Sequence, residues 1–243
     1  MKVSVIVPAA GRGKRFGGKQ NKIFERIGGD RPVFIRTLEL FVNRDDVCQV
    51  ILVVNAEDRE VIKERFAANI GFMGITLALG GAERVDSVRS ALALVSPEAD
   101  YIATHDAVRP CVSPLWIDAV FKESEKTGAA ILAYPVHGTL KKVSEAMVID
   151  ETVPRAGLWQ AQTPQVFRRD LFQKAYAQPV SNGITDDAQL VEALGHPVSV
   201  VMGDPRNIKI TTPGDLSLAA AVIDSLPKPK PKRPDHPFGE AQW

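Results

Sequence analysis

The segment PAAGRGKRFGGKQNK, from Pro8 to Lys22, concentrates small residues and cations in one short stretch. Ala9, Ala10, Gly11 and Gly13 leave little side chain, so backbone N–H groups can approach phosphate oxygens closely. Arg12, Lys14, Arg15, Lys19 and Lys22 supply positive charge in the same loop. The apolar run from Val3 leads directly into it through Pro8, and open parallel sheets bind ligands at the carboxyl ends of strands. A polyphosphate cradle is the chemistry these residues support. The plain alternative is a solvated basic turn.

Two familiar phosphate motifs fit badly. GKRFGGKQ, from Gly13, nearly matches the P-loop, but Gln20 stands where that loop needs a magnesium-binding hydroxyl. GRGKRF lacks the third glycine of the dinucleotide fingerprint and runs on into more loop. His105, His137, His196 and His236 form no HxH or HExxH pattern, and no GxSxG elbow is present. Zinc and serine hydrolases are therefore disfavoured. Cys48 and Cys111 stand far apart in no metal or redox spacing, which points to a reducing, cytoplasmic compartment.

Five stretches, the loop included, set it in context: PAAGRGKRF, GGAERVDSVRSAL, HDAVRPCV, LWQAQTPQVF and NIKITTPGDL. Together, and in this order, they resemble the 2-C-methyl-D-erythritol 4-phosphate cytidylyltransferase family of nucleotidyltransferases, from Val3 to about Ser225. The ribitol 5-phosphate cytidylyltransferases resemble the chain at HDAVRP and TPQ. Their usual Leu-Ala-Gly-Gly start and Glu-Thr-type pair are replaced here by PAAG and Asp86-Ser87, and Gly157-Leu158-Trp159 also looks like the methylerythritol family.

The resemblance implies transfer of CMP from CTP to a polyol phosphate. It places CTP over Pro8, Ala9, Ala10, Gly11 and Gly13, with Arg15 and Lys22 on the triphosphate. Lys19 competes with Lys22 for that role, and aligning Ile27-Gly28 with the family's Ile-Gly favours Lys22. Gly80, Gly81, Ala82 and Ser87 match the cytosine pocket, with Ala107 nearby. A plain helix cap is the other reading of Ser87. Asp106 matches a substrate contact and suits magnesium, which needs only one or two protein carboxylates. Arg109, Thr139, Thr163 and Thr185 match further substrate contacts. Arg155 and Lys209 match residues that position the acceptor phosphate, although Lys209 also reads as an exposed strand lysine. Ala82, Gly138 and Pro154 depart from the family pattern, where Asp is common. His105 reads as a packing neighbour without catalytic duty. A catalytically silent nucleotide-sensing module is the rival outside enzymology.

These residues need a scaffold that brings loop ends together. Val- and Ile-rich runs starting at Val3, Val47, Ile75, Asp100, Gly128 and Pro197 read as strands buried on both faces. Helical segments lie between them. Thr212-Pro213 opens one, with Asp215 in its first turn. Asp86 or Ser87 caps another, and Thr185 precedes a third that Gly195 closes. The expected fold is α/β: a three-layer, mostly parallel, Rossmann-like sheet of about seven strands with helices on both faces. Residues 1–226 form one domain in this reading. An arm over about 138–165 leaves the sheet, and 227–243 is a Pro- and Lys-rich disordered tail.

The arm carries Leu140, Val143, Val148, Ile149, Val153, Leu158 and Trp159 and cannot cover them itself. A homodimer through the arm follows, which the resemblance turns into a shared site. With 45% apolar and 24% charged residues and a net charge of +1, the 243-residue chain has ordinary globular composition and no global basic field for nucleic acid. No apolar run approaches membrane-spanning length.

Overall fold

The structure, a computed structural model, describes residues 1–11, 16–17, 21–179 and 183–229. Gly13, Arg15 and Lys19, with most of the expected tail, lie outside them. The described elements run β1 (Val3–Pro8), α1 (Val33–Val42), β2 (Val47–Val54), α2 (Ala56–Arg65), α3 (Ala67–Phe72), β3 (Thr76–Leu79), α4 (Arg84–Leu92), β4 (Tyr101–Thr104), α5 (Pro114–Thr127) and β5 (Ala129–Pro135). They continue with β6 (Leu140–Val143), β7 (Ile149–Val153), β8 (Trp159–Arg168), α6 (Arg169–Ala177), α7 (Ala188–Glu192), β9 (Ser199–Met202) and α8 (Pro213–Val222).

Seven strands form one sheet in the order β3-β2-β1-β4-β8-β5-β9. All neighbouring pairs are parallel except those of β8, which runs antiparallel to both β4 and β5. Period-2 alternation on β1 sends Val3, Val5 and Val7 into one core with Phe34, Leu38 and Phe41 of α1 and Ile117 of α5. Ile6 joins the opposite core with Val88 of α4, Phe172 of α6 and Val191 of α7. Helices therefore cover both faces, which explains why the strands read as near-continuous apolar runs.

Three local expectations are corrected. The arm does not extend to Gln165: β8 re-enters the main sheet from Trp159, and Gln162 through Phe167 are buried. Only β6 and β7 form the separate two-stranded ribbon. Neither Asp86 nor Ser87 caps α4. Glu83 does, in a capping box with Asp86 at the third position, while Ser87 lies inside the helix with its hydroxyl on Glu83 C=O at 3.0 Å. Helix α7 starts after Asp187, two residues beyond Thr185.

Helix α8 begins as its sequence implies. The Thr212 hydroxyl accepts from Asp215 N–H, and Asp215 answers the Thr212 N–H, a cap worth roughly 1 kcal/mol. At the end of the described chain, Ser113 Oγ donates to Pro227 C=O at 2.6 Å, holding the segment to the start of α5.

Candidate active site

The carboxyl ends of β1 and β4, the loop before α4 and the loop before α8 converge on a cleft of about 390 Å³. Pro8, Ala9, Ala10, Gly11, Lys22, Gly81, Ala82, Ser87, Asp106 and Lys209 all line it. Two glycines are fixed by close approach. A Cβ on Gly80 would stand 2.5 Å from Ala10 Cβ and 2.7 Å from Ser87 Oγ, and one on Gly81 would stand 2.4 Å from Asp86 Cβ. The loop can therefore pass the residues after β1 only with hydrogen at Gly80, and turn into α4 only with hydrogen at Gly81. Ala107 is fully buried beneath it.

Lys22 is held from below. It opens a 3-10 turn, Lys22–Phe24, and Phe24 packs edge-on against Phe34 with ring centroids 5.7 Å apart. Asn21 Nδ2 donates to Gly11 C=O at 3.2 Å and to Asp58 Oδ2 at 2.7 Å. Asn55, the cap of α2, donates to the same Asp58 oxygen at 2.6 Å and to Ala10 C=O at 3.4 Å. This Asn21–Asp58–Asn55 brace was not legible in the sequence, because Asn21 lies far along the chain from the start of α2 that holds the other two.

A second cavity of about 200 Å³ shares Arg84, Asp106 and Lys209 with the first and adds Arg109, Gln162, Thr163, Gln165, Thr185 and Asp186. Three cations surround Asp106. Its Oδ2 lies 3.0 Å from Lys209 Nζ and 3.2 Å from Arg109 Nε, and its Oδ1 lies 3.7 Å from Arg84 Nε. Burial alone would raise the carboxyl pKa, but Lys209, Arg84 and Arg109 outweigh it and hold the group well below the usual range. Lys209 is exposed, as its plain reading expects, but it is not on a strand. It sits in an irregular segment before α8, ion-paired into the site.

Behind Asp106 a hydrogen-bond chain fixes the β4–β8 junction. Asp106 N–H donates to Thr163 Oγ1 at 3.1 Å, Thr163 Oγ1 meets His105 Nδ1 at 3.1 Å, and His105 Nε2 meets Arg109 C=O at 3.1 Å. A carbonyl only accepts, so Nε2 carries the proton and Nδ1 accepts from the threonine. Burial pushes the His105 pKa down to about 4. The ring stays neutral and structural, in line with its reading as a packing neighbour.

The arm residues stand apart. Thr139 and Arg155 line neither cavity, and the Arg155 guanidinium donates to the C=O of His137 in its own arm. Around them Met147, Val148 and Ile149 are 84%, 61% and 58% exposed. Among the described residues no cluster of three His, Cys, Asp or Glu could enclose a metal. Asp106 nevertheless fits magnesium as a single carboxylate, since that ion takes its remaining ligands from phosphates and water. Of its two oxygens, Oδ1 is the less engaged, with Arg84 no closer than 3.7 Å.

Residues 3–225 match the sequence profile of 2-C-methyl-D-erythritol 4-phosphate cytidylyltransferase. The chain belongs to this cytidylyltransferase family. The cytidylyltransferase of that name from Rhodopirellula baltica is 42% identical over 233 residues, covering 91% of this chain and 95% of its own. Its counterpart from Bacillus velezensis is 41% identical over 226 residues, covering 92% and 96%. The crystal structure of the cytidylyltransferase from Thermus thermophilus superposes with a TM-score of 0.73 at 34% identity, covering 92% of this chain and all of that one.

Proposed function

We propose that this chain transfers CMP from CTP to 2-C-methyl-D-erythritol 4-phosphate, releasing pyrophosphate and forming 4-diphosphocytidyl-2-C-methyl-D-erythritol for isoprenoid precursor synthesis. Its family and its relatives of that name support the reaction. The observation that carries it is the junction at Asp106. There a cleft of nucleotide size, with Lys22 in its wall, meets a smaller polar cavity, with Arg84 and Lys209 also shared between the two.

In this reading the cytosine lies on Gly80, Gly81, Ala82 and Ser87, where small residues and backbone groups admit a pyrimidine and crowd a purine. The triphosphate lies along Ala9 to Gly11, with Lys22 and Arg15 stabilising charge on the α-phosphorus and the leaving pyrophosphate. The acceptor occupies the second cavity, its hydroxyls facing Asp106, Thr163 and Thr185 and its phosphate drawn by Arg109 and Lys209. A phosphate monoester has its second pKa near 6 and is mostly dianionic at pH 7, so no general base is required. The chain's work is to align two polyanions and cancel their repulsion. Asp106 is the residue to hold magnesium, which when bound neutralises phosphate charge.

We further propose a homodimer. The exposed apolar side chains of the β6–β7 arm need a cover, and a two-fold pairing of arms would supply it. Arg155 and Thr139, which line neither of these two cavities, would then serve the partner's site. Cytoplasmic residence fits the unpaired cysteines, and no helix among the described residues is long and apolar enough to cross a membrane. Pyrophosphate release from CTP with magnesium tests the activity. It should require methylerythritol phosphate, and faster release with ribitol 5-phosphate would overturn the acceptor assignment.

A further inference from the structure

Arg84 lines both cavities, yet most of its guanidinium is committed elsewhere. Nη1 and Nη2 donate in a fork to Asp187 Oδ1 and Oδ2 at 2.9 Å and 2.7 Å. Only Nε is turned toward Asp106 Oδ1, at 3.7 Å. Asp187 is fully buried and is itself fixed from several elements. Its carboxylate accepts from Thr104 Oγ1 of β4 at 2.6 Å and from the Tyr176 hydroxyl of α6. Its N–H donates to Gln165 Oε1 of β8 at 3.1 Å. Burial would raise its pKa, but Arg84, together with these hydrogen bonds, holds it below the usual range.

The three cations around Asp106 are divided between its oxygens. Lys209 and Arg109 both approach Oδ2, and Arg84 alone among them faces Oδ1. Without Arg84 both neighbouring cations would pull on one oxygen, and the carboxylate could rotate about its Cβ–Cγ bond. The base-side loop does not depend on this guanidinium, because the Glu83–Asp86 capping box fixes the start of α4 through backbone groups.

We propose that Arg84, clamped by Asp187, is a positioning residue for the acceptor, setting the orientation of Asp106 in the wall between the two cavities. The inference rests on the cytidylyltransferase reading above. Loss of the clamp weakens use of the polyol phosphate and leaves CTP binding nearly intact. Tyr176 offers the cleanest probe. It is outside both cavity linings, packs on Phe172 with centroids 4.8 Å apart, and reaches the site only through Asp187.

Steady-state kinetics on Arg84→Lys, Asp187→Asn and Tyr176→Phe, varying each substrate in turn, tests this. Acceptor KM should rise about tenfold for Arg84→Lys and Asp187→Asn, the scale of losing charge-assisted hydrogen bonds. It should rise about threefold for Tyr176→Phe, a variant that removes a single oxygen and keeps the fold testable if the other two misfold. CTP KM should stay within about twofold in all three. A parallel rise in CTP KM, or wild-type kinetics with only a lower melting temperature, overturns the positioning role while leaving the activity in place. Wild-type protein that does not use the acceptor refutes the activity and this role together.

Discussion

Lys209 Nζ lies 3.0 Å from Asp106 Oδ2, and both side chains belong to the nucleotide cleft and to the smaller cavity beside it. The ion pair joins the loop after β4 to the segment before α8. In the proposed reaction, the nucleophilic phosphate and the α-phosphorus would meet beside this pair.

Lys22→Ala should lower kcat by about 10²-fold, the scale of losing a preorganised donor to developing charge. Lys19→Ala should cost much less. Single-turnover kinetics on the two variants separates them, and reversed effects would mean that Lys19 is the triphosphate cation.

His105 gives the fold an acid-side weakness. Its pKa is about 4 in the folded protein, where burial lowers it, against an unfolded value near 6.5. The unfolded chain therefore binds the extra proton first as pH falls. The stability lost between about pH 7 and pH 4 is on the order of 3 kcal/mol, present in full above the unfolded pKa. Asp106 and Asp187, both held below the usual range, add losses only at still lower pH. Urea unfolding across this window should show that slope, and His105→Gln should flatten it. An unchanged slope in His105→Gln would assign the loss to other groups.

Much of the architecture was legible because β1, β2 and β5 are buried on both faces and write continuous apolar runs. β8 was not, because QTPQVF carries Pro164 and two buried glutamines, Gln162 and Gln165, whose partners are distant. Gln165 is satisfied by Asp186 and by the N–H groups of Asp187 and Ala188, a reason invisible from Gln165 itself. The glycines and small residues of the nucleotide cleft were identifiable by type. Arg84 and Asp187 were not, since a fork between residues so far apart in sequence leaves no local pattern. Ser87 misled as a cap because Ser and Asp are both good caps, whereas Glu83 takes the position through a reciprocal bond with Asp86.

Subunit complementation tests the shared site. Arg15→Ala and Arg155→Ala should each be nearly inactive as homodimers. Mixed equally with subunit exchange, they should recover about a quarter of wild-type activity, because half the dimers carry one intact site. A mixture that stays inactive after exchange is confirmed by mass would place Arg155 in its own chain's site.

Truncation before Lys228 should leave melting temperature and turnover nearly unchanged. The Ser113–Pro227 hydrogen bond is retained, and the residues removed carry no periodic apolar face. A marked drop in either quantity would assign the terminal lysines a role.

Phosphorus NMR of the protein with CTP, magnesium and 2-C-methyl-D-erythritol 4-phosphate reads the bond that is made. The cleft at Asp106 predicts a new pair of mutually coupled diphosphate resonances appearing in step with pyrophosphate, and none when the acceptor is left out. CTP that stays intact, or that breaks down to CMP without a coupled pair, would contradict it.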